Sequence, residues 1–217
     1  MEEQDFMMGS RNTLILGRPS GMIHNVYLCG NIKEAGEYVD VFEVIRNAGE
    51  RDEIYIHINS EGGDLFTAIQ FLRVLGETRG TVIASVEGLC MSAATIIFMA
   101  AKHHEIINHS VFMFHNYSNK IEGKGGELFD HIMHIRHWGE KMLRDVYAGF
   151  LVEEEFKSIL DGKDLYMASE EVASRLEKRN IEIVKKAEQL VKTGERKPKK
   201  PRKARKVLIS HRDEVTV

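Results

Sequence analysis

Residues 53–75 read EIYIHINSEGGDLFTAIQFLRVL, and the hydrophobic period changes in the middle of them. Up to Asn59, apolar and polar residues alternate, with Ile54, Ile56 and Ile58 on one side, the two-residue period of a half-buried strand. From there on, Leu65, Ala68, Ile69, Leu72 and Leu75 fall at the spacing of one helix face. Between the two patterns lies Ser60-Glu61-Gly62-Gly63-Asp64. A glycine pair therefore sits at a strand-to-helix junction, with Asp64 placed to cap the helix. The G-x-G-x-x-G pattern of a dinucleotide-binding turn is absent, which disfavours a phosphate loop.

The same alternation extends to both sides. Residues 25–29 (NVYLC) read as a short strand ended by Gly30-Asn31, and residues 35–48 as a helix with Tyr38, Val41, Phe42, Ile45 and Ala48 on one face. Downstream come a β-branched strand at 81–86, a turn at 87–91, a buried helix at 92–101 and a strand at 111–114 that ends at His115. A Gly-rich link at 123–126 leads into a long helix, 127–150, with Leu128, Ile132, Ile135, Met142, Val146 and Phe150 as its apolar face. A shorter helix follows at 153–160, and another opens at Ser169 or Glu170. Strands alternating with helices predict an α/β fold with right-handed crossovers. Three successive strands lead to Gly62-Gly63, Ser92 and His115. Ligands of open α/β sheets gather at the carboxyl ends of strands, so these three places are expected side by side.

Composition sets the outer limits. The chain has 217 residues, 43% hydrophobic, with a formal net charge of -3, enough for one sizeable core. No apolar run approaches the ~20 residues of a membrane span, and no membrane partner is expected. The acidic start, Met1 to Gln4, does not resemble a signal peptide. Two cysteines, Cys29 and Cys90, cannot build a disulfide framework and suit a reducing, cytoplasmic setting. Residues 185–206 hold eleven Lys/Arg and two Glu, a local net of +9. The expected organisation is an N-terminal arm at 1–24, one domain at 25–190, and a basic, disordered tail at 191–217. Such a tail serves solubility or binds nucleic acid or another acidic partner.

Ser92 is the sharpest candidate nucleophile, because it follows a strand and a turn and opens a helix whose first N–H groups favour negative charge. Its other reading is an ordinary N-cap serine. A serine hydroxyl needs an adjacent base, and His115, at the end of an apolar strand, is suited to that work; a strand-end histidine bonded to backbone is the alternative. A third group must orient the imidazole. Asp164 and Asp161, in the loop DGKD at 161–164, compete for that role or are plain turn residues. Gly62-Gly63 could present an N–H to an oxyanion. His131, His134 and His137 lie three residues apart on the long helix. Without an H-E-x-x-H pattern or a cysteine partner they read as a solvated face rather than a metal site.

These signals together resemble one family. VYLCGNI (26–32), YIHINSEGGDLFTAI (55–69), EGLCMSAAT (87–95), VFMFHN (111–116) and GKDLYMAS (162–169) are similar, in order and spacing, to the segments of ClpP, the proteolytic subunit of the ATP-dependent Clp protease. The resemblance runs from about residue 26 to 176. It implies an α/β fold of the Clp/crotonase type, with repeated ββα units and a protruding long helix, the handle. It implies a serine endopeptidase with Ser92 as nucleophile, His115 as base and Asp164 as the third triad member. The N–H groups of Gly63 and Ala93 would form the oxyanion hole, and Gly62 and Asn116 would bind substrate. It further implies polypeptide substrates, no cofactor or metal, a heptameric ring, single or stacked as a double ring, and an AAA+ ATPase partner.

The chain is a divergent member on this reading. Glu61 stands where the family has proline, Ala93-Ala94 where it has Met-Gly, and Gly162-Lys163 where it has the Glu-Arg pair that helps rings interlock. Three other functions keep the same framework: a viral capsid-maturation protease working without an ATPase, a crotonase-type acyl-CoA enzyme, and a non-catalytic ring subunit. Crotonase-type enzymes usually place carboxylates where this chain has Ser92 and His115.

Overall fold

The computed structural model describes residues 6–8, 15–17, 21–118, 124–192 and 207–210. Strands β1 (Phe6–Met8) and β2 (Ile15–Gly17) pair antiparallel, within the stretch read from sequence as an arm. The main sheet begins with β3 (Ile23–Ile32), followed by a 3-10 turn and helix α1 (Val39–Asn47). The stretch that changes period becomes β4 (Glu53–Gly63) and α2 (Leu65–Glu77). Asp64 caps α2, its Oδ1 accepting from the Thr67 N–H and hydroxyl, both at 2.7 Å. Next come β5 (Thr81–Met91), α3 (Ala93–Ala100), β6 (His103–Ile107) and β7 (Val111–Phe114). The C-terminal part holds α4 (Gly125–Val146), α5 (Glu153–Leu160), β8 (Leu165–Ala168), α6 (Ser169–Lys192) and β9 (Val207–Ser210).

Parallel strands need crossovers long enough to hold a helix, and the chain supplies one after each of β3, β4 and β5. The result is a mixed α/β sheet, mostly parallel, in the order β3-β4-β5-β6-β9, with β7 on the far half of β5 and β8 antiparallel to β7. Ile54, Ile56 and Ile58 of β4 and Val82, Ala84 and Val86 of β5 are fully buried with Phe71 of α2 and Phe98 of α3.

Three readings are corrected by the structure. Residues 87–91, read as a turn, continue β5, because Leu89, Cys90 and Met91 pair with Val111, Phe112 and Met113. The Glu87-Gly88 step looks like a turn locally, but tertiary pairing overrides it. The polar-looking HHEII of β6 carries no strand period, yet it buries His104 and Ile106 and pairs with residues 83–86. The long helix ends at Val146, and Tyr147 and Phe150 are buried in the turn beyond it.

Helix α4 is two-sided along its length. Its second half packs on the domain, burying Gly139 and Leu143. A Cβ at Gly139 would lie 2.3 Å from the Tyr117 ring, so glycine is what lets the ring pack this close to the helix. Its first half stands in solvent, with Phe129 66%, Ile132 49% and Met133 49% exposed. Arg175 of α6 makes a two-pronged ion pair to Glu155 of α5, at 2.7 and 2.6 Å, and ties the C-terminal helices together. Within the stretch read as a tail, residues 191–192 end α6 and 207–210 pair in parallel with β6. Residues 193–206 and 211–217, which include most of the basic run, lie outside the described residues.

Candidate active site

The sheet brings the three strand ends together by its register. Phe114, the last residue of β7, pairs with Leu165, the first of β8. The residues just beyond that pair, His115 and Asp164, therefore face each other, and the His115 Nδ1 lies 3.5 Å from the Asp164 Oδ1. That is an ion-pair distance rather than a formed hydrogen bond. Asp161 instead closes α5, its N–H donating to the Lys157 carbonyl. Met91 of β5 pairs with Met113 of β7, so Ser92 emerges next to the same strand end.

Ser92 has φ 53° and ψ -126°, a left-handed conformation that costs a non-glycine residue about 1–3 kcal/mol unless its surroundings impose it. Its N–H donates to the Met113 carbonyl at 2.9 Å. Its own carbonyl accepts from the Thr95 N–H at 2.9 Å and the Thr95 hydroxyl at 2.6 Å. The Ser92 hydroxyl makes no cap to α3, which separates it from an ordinary N-cap serine. It lies 2.6 Å from the His115 Nε2. His115 is half-buried, with its side chain 27% exposed, and Asp164 is more open at 48%.

The glycine pair closes the other side. Gly62 has φ +96°, and a Cβ there would lie 2.6 Å from the Ser92 Cβ and 2.7 Å from the Met91 carbonyl oxygen. Glycine is thus required both by conformation and by the approach to Ser92. Ser60, buried below the pair, donates from its hydroxyl to the Gly30 carbonyl at 2.5 Å and accepts from the Gly62 N–H at 3.1 Å. The Gly62 N–H is committed to Ser60, while Gly63 and Ala93, the expected oxyanion donors, both line the cavity beside Ser92. Ala93 opens α3, where N–H groups have no intrahelical partner. Asn116 turns its side-chain oxygen to the Tyr117 N–H at 3.0 Å, and Tyr117 and Ser118, not Asn116, line the cavity.

The cavity has a volume of about 340 Å³ and runs from Ser92 and His115 to an apolar wall of Phe66, Ile96, Ile135, Trp138 and Met142. The Phe66 and Trp138 rings stack across it, 5.8 Å apart. Sequence reasoning passed over Phe66, Trp138 and Tyr147. Trp138 is the single tryptophan of the chain, which was the available signal. A more open depression of about 440 Å³, at Val111 and Tyr166, lies at the opposite end of the β7–β8 pair from Ser92. His131, His134 and His137 sit on the exposed part of α4. Among the described residues no helix is long and apolar enough to cross a membrane.

A mostly parallel α/β sheet that sets a left-handed serine against a histidine, with backbone N–H groups alongside, defines a class of protein suited to acyl transfer from serine. Within that class the Clp protease family matches residues 24–175, and the chain belongs to it. Family membership implies peptidase activity, typically of the serine type that ClpP represents. No curated protein matches the chain.

Proposed function

We propose that the chain is a serine endopeptidase with Ser92, His115 and Asp164 as its triad. The observation that carries this reading is the 2.6 Å contact between the Ser92 Oγ and the His115 Nε2, made by a hydroxyl with no capping role. The His115 Nε2 takes the Ser92 proton as Oγ bonds to the scissile carbonyl carbon. The tetrahedral oxyanion accepts from the N–H groups of Gly63 and Ala93. His115 then gives that proton to the departing amine, and the acyl-enzyme is cleared by water in the reverse sequence. Asp164 holds the Nδ1–H and balances the imidazolium. Its 3.5 Å separation suits a resting site, since such bonds often tighten only when substrate is bound. Gly62 lets Ser92 approach the glycine pair closely, and the apolar cavity takes a large hydrophobic side chain next to the cleaved bond.

The exposed apolar half of α4 supports assembly of several copies, in keeping with the ring the family forms. An AAA+ unfoldase that feeds polypeptide into such a ring, in the cytoplasm, completes the reading. Hydrolysis of short fluorogenic peptides, with native mass measured alongside, tests it. The expected result is turnover by the wild type and its loss in both Ser92→Ala and His115→Gln. Unchanged turnover in folded Ser92→Ala would sink the triad, and tight coenzyme A binding without hydrolysis would favour the crotonase-type alternative.

A further inference from the structure

Thr95 is one turn into α3 and fully buried. Its hydroxyl donates to the Ser92 carbonyl at 2.6 Å, and the same oxygen lies 2.6 Å from the Tyr147 hydroxyl. A threonine hydroxyl has one proton, and here it is spent on Ser92, so the proton in the second bond comes from the tyrosine. The chain of donation therefore runs from Tyr147 through Thr95 to Ser92. Tyr147 is itself 2% exposed, lines the cavity, and stands edge-on to Phe114, the residue before His115. Burial pushes its phenol well above the usual range, which keeps it a donor at any working pH.

The target of this relay is one end of a rigid plate. The Ser92 carbonyl and the Ala93 N–H belong to the same planar peptide unit, so whatever fixes the oxygen also fixes the direction of the N–H. Two bonds on the Ser92 carbonyl hold that plane, from the Thr95 N–H at 2.9 Å and from the Thr95 hydroxyl at 2.6 Å, and only the second is shared with Tyr147. We infer that Tyr147 and Thr95 are positioning residues for acyl transfer, aiming the Ala93 N–H at the oxyanion through their hold on the Ser92 carbonyl. The inference rests on the serine-peptidase reading and adds two residues that touch neither the substrate carbonyl nor the triad side chains.

The test uses the full-length protein with Tyr147→Phe, Thr95→Val and Thr95→Ser. Each is measured for kcat and KM on one fluorogenic peptide, for thermal midpoint, and for rate and stoichiometry of fluorophosphonate labelling at Ser92. Loss of one neutral hydrogen bond predicts a fall in kcat of about tenfold for Tyr147→Phe. Thr95→Val loses the hydroxyl bond to the Ser92 carbonyl together with the link to Tyr147 and keeps the backbone bond from the Thr95 N–H, which predicts a fall of about ten- to a hundredfold. KM stays near wild type, labelling slows by the same factors at one probe per chain, and Thr95→Ser recovers most of the rate. Wild-type kcat in Tyr147→Phe and Thr95→Val would overturn the inference. So would a fall that matches a smaller labelled fraction with an unchanged rate per labelled chain, which is the mark of a merely structural role. Should Thr95→Val not fold, Tyr147→Phe, one oxygen smaller, decides alone. A wild type that takes no probe overturns the peptidase reading, and this inference with it.

Discussion

Ser92 is held by its backbone and left free at its hydroxyl, the reverse of a helix cap, and substitutions there should show it. Ser92→Ala is expected to reduce peptide hydrolysis by several orders of magnitude, leaving the roughly 10³–10⁴ over water that binding and the oxyanion hole supply. Thermal unfolding should barely change, since no cap bond is lost. Ser60 behaves oppositely. Its hydroxyl bridges the Gly30 carbonyl and the Gly62 N–H in a site closed to solvent. Ser60→Ala leaves both groups short of a partner, and a loss of about 1–3 kcal/mol in stability is expected from denaturant titration. Activity should fall alongside, as the glycine pair loses its tether; a variant with wild-type stability and turnover would show that the tether is idle. Ser92 and His115 of the proposed triad could be picked out as candidates because each follows an apolar strand, and strand ends converge in an α/β sheet. Thr95 and Tyr147 could not, because their contact spans 52 residues and neither has a local pattern that marks it. Asp164 and Asp161 could not be told apart for a similar reason: only the pairing of β8 with β7 places one of them at His115.

At the level of elements, long amphipathic helices and the β4–α2 corner were readable from period alone, whereas β6 and β8 were not. Five residues of HHEII and four of LYMA are too short for a period to emerge, and their strand character comes from the neighbours they join. The C-terminal helices depend on a different kind of contact, the ion pair between Glu155 on α5 and Arg175 on α6. The Arg175 guanidinium holds the Glu155 carboxyl below its ordinary value of 4.5. A depressed folded-state value means that the pair stabilises the fold above the unfolded value and ceases to do so as pH falls through the folded one. Thermal midpoints should therefore drop more steeply below about pH 4.5 in the wild type than in Glu155→Gln, which starts lower and is flatter. Parallel profiles for the two proteins would show that the pair contributes nothing to acid stability.

The molecule as a whole leaves Phe129, Ile132 and Met133 exposed on the outer half of α4, an apolar stripe with no partner among the described residues of the chain. Assembly through this stripe predicts that Phe129→Asp with Ile132→Asp gives smaller particles in sedimentation velocity while the monomer's fold is kept. Both residues lie outside the cavity lining, so any accompanying loss of turnover reports on assembly rather than on the pocket. An unchanged particle size would remove the stripe from the interface. The edge of β6 is covered by β9, and the two are separated by about a hundred residues of chain. At about 5–20 residues per second, the ribosome delivers the covering strand some 5–20 s after the strand it covers. During that interval a nascent chain presents an unpaired backbone edge, open to any other extended segment nearby. Translation that stalls between those two strands would release products with that edge permanently bare, and these are the molecules a cell would find aggregated.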